Sequence, residues 1–408
     1  MKHLTVKLHG EPVASVMGFD DDVDTHEFAP VASWIRHPRH AVLGQLWEAR
    51  GAQHLVTHGL TPWFEHILPQ AALRRAIARE VGVDEDDGLS LLAWLSDDLL
   101  GAVSAELAPG VAYLPPPKEL AVADASAAYH CSLPGNQWKL SLSEGSNGYT
   151  LPARGDDSAW IAKLATGDFP RLVEVEAATM AWAAACGLDV PEVRVEPIAR
   201  IGALPRDLPR TEGSAYLIRR FDRTPQGRVH TEDFGQILDT PPGPRQFASR
   251  YEYIAAVVAQ LCPRDDLRAF VRQLVFCIVA GNADAHTKNW SLIYPDRRHP
   301  RLSPAYDLVS TVVYPDEKVE SELALSLAGS KAMTPMTASR FHGIARVSGV
   351  TDSEVERWFW EDVTRTLAAW HTPTVKERYS ARERARIERH IDACSLDEAR
   401  RGLALPSG

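Results

Sequence analysis

A short stretch in the second half of the chain carries an unusual density of polar side chains. Asp284, His286, Lys288 and Asn289 lie within six positions, directly after a strongly apolar segment. Unpaired polar groups lower the stability of a protein when they are buried in its core. A polar cluster directly after a buried segment is therefore expected to have a function. Asp284 and Asn289 have the spacing at which, in phosphoryl transfer, an aspartate orients the attacking hydroxyl and an asparagine oxygen binds a metal ion. The stretch is therefore a candidate catalytic loop.

A second acidic metal ligand is expected within a few dozen residues, and Asp307 is the candidate. The carboxylate of Asp307 and the amide oxygen of Asn289 are hard ligands that suit Mg²⁺, which also uses phosphate oxygens and water. His286 has two interpretations, a nucleotide-site residue or a structural hydrogen-bonding residue. A zinc site built on Asp284 and His286 is disfavoured, since no additional ligand cluster stands out.

An apolar helix is predicted directly before this loop. Helical spacing predicts one from about Asp265 to Val279, and its two acidic residues at the start suit the helix dipole. The apolar arc is so wide that the helix should be central to its domain. The residues predicted to be buried are Leu267, Phe270, Val271, Leu274, Val275 and Ile278.

Two segments further upstream could bind a nucleotide. The short apolar strand 159–164 carries Lys163, which is either an edge charge or a lysine that neutralises phosphates. An alanine-rich helix with Glu174 and Glu176 follows, which is the order found in the small lobe of a kinase. Before them, a predicted hairpin has Pro134–Asn136 at its tip, where backbone N–H groups could cover phosphates. With a single glycine, an ordinary hairpin turn is the alternative there.

The hydrophobic patterns and the positions of proline and glycine predict three domains in the chain. Residues 1–108 begin with an alternating hairpin, in which His9–Pro12 form the turn, and continue with helices, the last predicted over Leu89–Leu107. A proline-rich stretch forms the boundary. Residues 119–223 should then form a strand-rich small lobe with the phosphate loop. Residues 224–408 should form a helical large lobe, in which Thr231–Leu238 begins the first helix.

The composition fits a globular protein. The chain has 408 residues, 45% hydrophobic and 24% charged, enough for two to three domains. Its net charge of −10 argues against a surface that coats nucleic acid. Five scattered cysteines without a C-x-x-C pair favour a reducing compartment and argue against a disulfide framework or a zinc site. The first residues lack the apolar core of a signal peptide, and no run approaches the roughly 18–20 apolar residues of a membrane span. We predict a soluble, cytoplasmic protein with no membrane contact.

Four specific motifs occur in a fixed order: Ser132–Gln137, Arg220–Arg223, Asn282–Asn289 and Pro304–Asp307. Together they resemble the HipA family, the toxin kinases of bacterial type II toxin–antitoxin modules. The resemblance covers nearly the whole chain, because Phe64–Pro69 and Asp97–Val103 are similar to the amino-terminal subdomain of that family. It implies an α+β class with a bilobal protein-kinase-like fold, preceded by an N-terminal α/β subdomain.

The resemblance implies a role for each matching residue. Asp284 falls on the catalytic aspartate, Asn289 and Asp307 fall on the Mg²⁺ ligands, and Lys163 falls on the lysine that contacts ATP phosphates. Ser132 falls on the serine whose autophosphorylation expels the phosphate loop and inactivates the enzyme.

The remaining matches concern the phosphate loop and the nucleotide. Gly135 and Gln137 lie in the same loop as Ser132, and Arg219 and Phe221 fall at the hinge that holds adenine. Arg219 departs from the acidic residue expected at that position, which bears on adenine contacts rather than on kinase chemistry. Further nucleotide-site positions are matched by Gln236, His286 and Tyr306.

The implied function is an ATP- and Mg²⁺-dependent serine/threonine-protein kinase that acts as a toxin in persistence. The resemblance implies a substrate such as an aminoacyl-tRNA synthetase or another translation factor, and a HipB-like helix-turn-helix antitoxin that brings the chain to operator DNA indirectly. One alternative is a catalytically weak nucleotide-binding co-repressor, against which the intact Asp284, Asn289, Asp307 and Lys163 argue. The other is a small-molecule kinase, against which two features argue: the Ser132 loop and the N-terminal module, which consists of residues 1–108. The sequence leaves the identity of the target and the oligomeric state open.

Overall fold

The computed structural model describes residues 2–19, 25–108, 139–146, 148–152, 158–164, 169–202, 204, 213–314 and 322–396. Its contacts divide the chain into two compact units. The first contains Met1–Thr166, Glu196–Gly243 and Ile293–Arg298, and the second contains Gly167–Val195, Pro244–Leu292 and His299–Gly408. The division into 1–108, 119–223 and 224–408 remains a prediction.

The strands are short, between two and eight residues long. In chain order they are β1 Lys2–Leu8, β2 Glu11–Gly18, β3 Thr25–Pro30, β4 Leu55–His58, β5 Val103–Leu107, β6 Lys139–Gly145, β7 Gly148–Thr150, β8 Trp160–Leu164, β9 Val193–Pro197, β10 Ser214–Arg219, β11 Arg223–Thr224, β12 Gly227–Arg228, β13 His230–Asp233, β14 Ser291–Tyr294, β15 Arg301–Leu302, β16 Glu322–Leu327 and β17 Ser330–Ala332.

The helices are longest in the second unit, where they form its core. In chain order they are α1 Ala32–Arg36, α2 Gln45–Ala49, α3 Pro62–Glu65, α4 Ala71–Val81, α5 Gly88–Trp94, α6 Leu172–Ala185, α7 Phe234–Ile237, α8 Tyr251–Leu261, α9 Arg264–Ala280, α10 His342–Ser348, α11 Asp352–Trp370, α12 Pro373–Lys376 and α13 Ala381–Ala393.

The N-terminal sheet of the first unit has the strand order β4-β3-β2-β1-β5. The predicted hairpin is confirmed, but its turn is shorter than predicted. Leu8 pairs with Glu11, so Glu11 and Pro12 belong to β2 and only His9 and Gly10 form the turn. Both turn residues have positive φ, 51° and 82°, which is what a two-residue turn of the favoured primed type requires. The sheet covers an apolar core in which Phe28 stacks on Trp47 with ring centroids 4.0 Å apart.

The helix predicted over Leu89–Leu107 is wrong in its second half. Helix α5 ends at Trp94, and residues Val103–Leu107 form β5, which pairs antiparallel with β1 from Leu8↔Val103 to Leu4↔Leu107. The free edge of β1 offers a full ladder of backbone hydrogen bonds to this segment. Pairing with a distant strand therefore overrides the local helical pattern.

The helix predicted from Thr231 also begins later than expected. Residues His230–Asp233 form β13, and Asp233 is the N-cap of α7. Its carboxylate accepts the N–H of Gln236 at 2.9 Å, and the Gln236 side chain accepts the N–H of Asp233 at 2.9 Å. This capping box fixes the helix start at Phe234.

In the second sheet, the strands of the first unit have the order β7-β6-β8-β10. Strand β8 lies centrally and pairs antiparallel with β6 on one side and with β10 on the other. Its inward side chains, with those of β6 and β10, form a small apolar core that contains Leu142, Trp160 and Leu217. The position of β8 places Lys163 in the middle of this sheet.

A fully buried carboxyl, Glu232, joins β13 to the N-terminal sheet region within the first unit. It accepts the indole N–H of Trp63 at 2.9 Å, the backbone N–H of Gln45 at 3.1 Å and the hydroxyl of Tyr294. Burial raises the pKa of the Glu232 carboxyl to about 7. The donors lower this pKa but do not outweigh the loss of hydration.

Replacing Glu232 with glutamine should change the pH dependence of stability. Because the pKa is raised on folding, the native state binds a proton between about pH 4.5 and 7, and stability from this group falls as pH rises through that window. From pH 4.5 to 8, the free energy of unfolding of wild type should fall by roughly 3 kcal/mol relative to the variant. Urea unfolding across this range measures the difference.

Subtracting the unfolding free energy of Glu232→Gln from that of the wild type cancels the contributions of titrating groups that both proteins contain. Burial lowers the pKa of neighbouring His230 to about 4, so that histidine produces the opposite trend, stability that rises with pH. His230 is present in both proteins and cancels. A difference that stays constant across the pH range would contradict the raised pKa of Glu232.

The second unit is built around α9, as the sequence predicts. All six residues predicted to be buried on this helix are at most 2% exposed. Helix α11 packs on α9, where the buried Asp362 accepts hydrogen bonds from Arg268 at 2.9 Å and from Arg272 at 3.3 Å. Helix α6 is fixed to α11 by the indole N–H of Trp182, which donates to the carbonyl of Thr366 at 3.0 Å.

In the part of the chain that the structure describes, every helix is too short or too polar to cross a membrane.

Candidate active site

Helix α9 ends at Gly281, which turns the chain into the polar stretch identified from the sequence. Gly281 is in the left-handed region with φ 68°, and the N–H of Asn282 donates back to the carbonyl of Cys277 at 2.8 Å. A Cβ at this glycine would lie 2.4 Å from a side-chain carbon of Val312. Both the backbone conformation and the close approach therefore require glycine here.

Replacing Gly281 with alanine should destabilise the protein by about 2–3 kcal/mol, of which about 1 arises from the left-handed backbone and the rest from the contact with Val312. Urea unfolding measures this. Gly349 is a matched control, because it ends α10 with φ 72° and has no atom within 4 Å of an added Cβ. Gly349→Ala should cost only about 1 kcal/mol. Equal losses for the two variants would show that the contact with Val312 is unimportant.

The backbone of Asp284 is fixed while its carboxylate is accessible. Its N–H donates to the Asn282 side chain at 2.9 Å. Its carbonyl accepts the side-chain N–H of Asn289 at 2.7 Å and the N–H of His286 at 2.8 Å. The Asp284 side chain is 53% exposed. An accessible carboxylate on a rigid backbone suits a group that must meet a substrate hydroxyl.

Asn289 is buried beside this aspartate, and its amide is oriented by the same bond. The nitrogen donates to the carbonyl of Asp284, so the amide oxygen is the atom that could bind a metal. His286 contacts Asp284 at 3.8 Å, accepts the N–H of Lys288 at 3.2 Å and packs edge-on against Phe247. These contacts support the structural interpretation of His286, and its nucleotide role stays a prediction.

Thr311 joins the loop to the segment that follows Asp307. Its hydroxyl accepts the N–H of Ala283 at 2.8 Å and donates to the carbonyl of Gly281 at 3.0 Å. The N–H of Val312 donates to the same carbonyl at 3.2 Å. Sequence reasoning missed Thr311, and no signal could have found it, because its partners lie 28 and 30 positions away.

Asp307 is half-buried and has a positive φ of 56°. Residues on both sides of it are fixed. The hydroxyl of Tyr306 donates to the carbonyl of Lys288 at 2.7 Å and lies 2.6 Å from the hydroxyl of Ser291, while the N–H of Ser310 donates to Thr179 at 3.1 Å. A strained aspartate that its neighbours hold in place is typical of a functional site. The nucleotide contact predicted for Tyr306 remains a prediction, beside this structural role.

The donor set of Asn289 and Asp307 fits Mg²⁺. The described residues contain no cluster of three or more histidine, cysteine, aspartate or glutamate side chains, which a zinc or all-protein cage would require. One carboxylate and one amide oxygen are the few hard ligands with which Mg²⁺ binds in phosphoryl-transfer sites. The loop and the Asp307 segment are joined by Tyr306 and Thr311. The two candidate ligands are thus held on linked segments of the second unit.

Lys163 lies on β8 in the first unit. It is 4% exposed, pairs with Tyr216 on β10 and with Lys139 on β6, and its ammonium lies 5.3 Å from the centre of the Tyr216 ring. The alternative prediction for Lys163 was a solvated charge at a sheet edge, and a lysine buried in a central strand does not fit it. Contact with ATP phosphates remains the prediction for this residue.

The predicted hinge follows β10 in the same unit. The guanidinium of Arg219 lies 5.9 Å from the centre of the Trp160 ring, and Phe221 is half-buried. Gln236 is 2% exposed, and its amide nitrogen donates to the carbonyl of Trp63 at 3.1 Å. With its oxygen engaged in the capping box, the Gln236 amide has a structural role, and a nucleotide contact stays a prediction.

Three further predicted residues lie outside the described part of the chain. They are Ser132, Gly135 and Gln137, all in the expected phosphate loop.

Comparisons with known protein families give two matches. Residues 4–106 match the HipA N-terminal domain, and residues 131–370 match the HipA-like C-terminal domain. Together these matches include every residue proposed above for the site.

Two relatives from Sinorhizobium fredii carry kinase names. Y4dM is 34% identical over 404 residues, which cover 96% of this chain and 97% of that protein. Y4mE is 31% identical over 323 residues, which cover 71% of this chain and 73% of that protein. The first of these similarities extends over almost the full length of both chains.

A solved structure is similar over 98% of this chain and 98% of the matched chain, with a TM-score of 0.70 and 18% identity. It contains HipA and HipB of the Shewanella oneidensis MR-1 toxin–antitoxin system with operator DNA. At this identity the likeness shows the fold, and it confirms the α+β, kinase-like fold class predicted from the sequence.

Proposed function

The chain belongs to the HipA family, and on that premise we propose that this HipA-type kinase is an ATP- and Mg²⁺-dependent serine/threonine-protein kinase that acts as a toxin. The observation that carries the proposal is the catalytic loop, in which the Asn289 amide fixes the backbone of an exposed Asp284. This arrangement presents a carboxylate to a hydroxyl and an amide oxygen to a metal, as phosphoryl transfer requires.

Each residue of the site has a defined task in this proposal. Asp284 accepts the proton of a serine or threonine hydroxyl as that oxygen attacks the γ-phosphate. Asn289 and Asp307 hold Mg²⁺, which neutralises charge on the phosphate oxygens when it is bound. Lys163 contributes a fixed positive charge to the phosphates. Adenine is held by the segment of Arg219 and Phe221.

The partners follow from the chemistry of the family. HipA of Shewanella oneidensis is found with HipB and operator DNA. We propose a HipB-like helix-turn-helix antitoxin that neutralises the kinase, and contact with operator DNA through that antitoxin, since this chain has a net charge of −10. The proposed substrate is a translation protein such as an aminoacyl-tRNA synthetase. Autophosphorylation of Ser132 is proposed to inactivate the enzyme.

Phosphoproteomics after brief induction tests the proposal. Cells that express the wild type should gain serine or threonine phosphosites on one or a few translation proteins and on Ser132, and cells that express Asp284→Ala should not. Identical phosphosites with the two proteins would contradict the protein-kinase proposal. In that case, transcription from the operator in the presence of the antitoxin would test a co-repressor role.

A further inference from the structure

Four charged side chains are buried together in the first unit: Asp98, Arg220, Asp222 and Arg223. The guanidinium of Arg220 binds Asp98 at 2.8 Å and Asp222 at 2.9 Å. Arg223 binds Asp98 at 2.9 Å and Asp222 at 2.8 Å. Two acids and two arginines balance in charge, which is the condition under which buried ions are tolerated.

Asp98 comes from the N-terminal part of the chain, more than 120 positions before its arginine partners. Its second oxygen accepts the hydroxyl of Ser141 at 2.5 Å and that of Ser158 at 3.0 Å. Ser141 lies on β6, the strand that follows the predicted phosphate loop, and Ser158 lies two residues before β8, which carries Lys163. One carboxylate therefore contacts three segments: β6, the chain that leads into β8, and the hinge. The proposed function assigns β8 and the hinge to ATP.

The third of these segments is the hinge. Phe221 lies between Arg220 and Asp222, and both of these neighbours are fixed in the cluster. The side chain of Arg220 donates two bonds in all to Asp222, both at 2.9 Å, and the backbone N–H of Gly101 donates to Asp222 at 2.8 Å. The hinge backbone cannot shift without breaking charge-assisted hydrogen bonds in a buried environment, where they are strongest.

We propose that Asp98 is a positioning residue for nucleotide binding, through which the N-terminal module sets the relative placement of the hinge, β6 and β8. This inference rests on the proposed kinase function. The N-terminal module then supports the nucleotide-binding residues through Asp98, in addition to any role in packing or in partner contact. Asp98 itself does not need to touch the nucleotide.

The test measures binding of a non-hydrolysable ATP analogue with Mg²⁺ by titration calorimetry, together with KM for ATP and kcat. Asp98→Asn keeps the shape of the side chain but removes one charge of the cluster. It should weaken binding of the analogue and raise KM by about tenfold or more, while kcat changes by less than about threefold. A residue with only a structural role would not separate KM from kcat in this way.

A second variant keeps the result decisive if Asp98→Asn does not fold. Ser141→Ala combined with Ser158→Ala removes the bonds from Asp98 to β6 and to the chain that leads into β8, together with the bond that Arg220 donates to Ser158 at 3.0 Å, while all four charges stay paired. It should weaken analogue binding by at least about threefold. The matched control is Asp362→Asn, which removes a charge from another buried acid with arginine partners. It should lower stability but leave analogue binding unchanged.

The outcomes separate the two proposals. If the wild type does not bind the analogue, the proposed function fails. If the wild type binds it and the folded Asp98 variant or the serine double variant binds equally well, the positioning role of Asp98 is wrong. If Asp362→Asn weakens binding as much as Asp98→Asn does, general loss of stability explains the effect, and the positioning role is again wrong.

Discussion

Asp284→Ala should lower the rate of phosphoryl transfer by about 10³-fold, because a positioned general base contributes about 10²–10⁴-fold. The fold should be unaffected. The Asp284 side chain is 53% exposed, and the bonds that shape the loop use its backbone N–H and carbonyl, which alanine retains. Transfer of label from radioactive ATP to protein, measured for both proteins, gives the effect, and urea unfolding checks stability.

Asp352→Ala is the control for this variant. Asp352 is an aspartate in the same unit, 63% exposed, in the first turn of α11. Its loss removes a surface charge and should leave label transfer unchanged. If the wild type and Asp284→Ala both incorporate label only at background level, the kinase proposal is wrong. The nucleotide-binding co-repressor would then be the better account.

Asp307→Asn should lower kcat by about 10²-fold and raise the Mg²⁺ concentration needed for half-maximal activity. The amide keeps an oxygen but lacks the charge that attracts the ion. Asparagine is suited to the backbone at this position, since Asp307 has φ 56° and asparagine tolerates that region as aspartate does. The effect therefore reports on the charge and not on backbone strain. Binding of a non-hydrolysable ATP analogue at increasing Mg²⁺ measures the metal dependence independently of turnover.

The matched control is Asp239→Asn in the first unit. Asp239 also has a positive φ, 50°, and its carboxylate forms a partly exposed pair with Arg50 at 2.8 Å. Such a pair contributes little, so the variant should have wild-type activity and Mg²⁺ dependence. If Asp307→Asn keeps the Mg²⁺ dependence of the wild type, Asp307 is not a metal ligand.

Local patterns of the sequence were sufficient for one helix, one hairpin and the spacing of the candidate loop, where the determinant is itself local. Helix α9 has the burial that its apolar spacing predicts, and the β1–β2 hairpin turns at His9 and Gly10, two residues that accept positive φ. The candidate loop was found from the five-position spacing of Asp284 and Asn289. In the structure that spacing has a physical basis, because it allows the Asn289 amide to reach the Asp284 carbonyl.

Local patterns failed where a distant partner decides the outcome. The segment Val103–Leu107 has a helical pattern but forms a strand, because the edge of β1 is open to it. The hydrogen-bond partner of Gln236 is equally distant, because its amide nitrogen donates to the carbonyl of Trp63, which lies 173 positions earlier, and its nucleotide contact stays a prediction. Neither partner can be read from the residues that surround the segment in sequence.

By itself, the sequence determined the family and the α+β class, and it singled out Asp284, Asn289 and Asp307 as candidate site residues. Spacing and residue type carry that information, since they are properties of short stretches. Only the tertiary structure decided which residues hold the site in place. Thr311 and Asp98 form side-chain hydrogen bonds with partners that lie from 28 to more than 120 positions away, and such contacts exist only after the chain has folded.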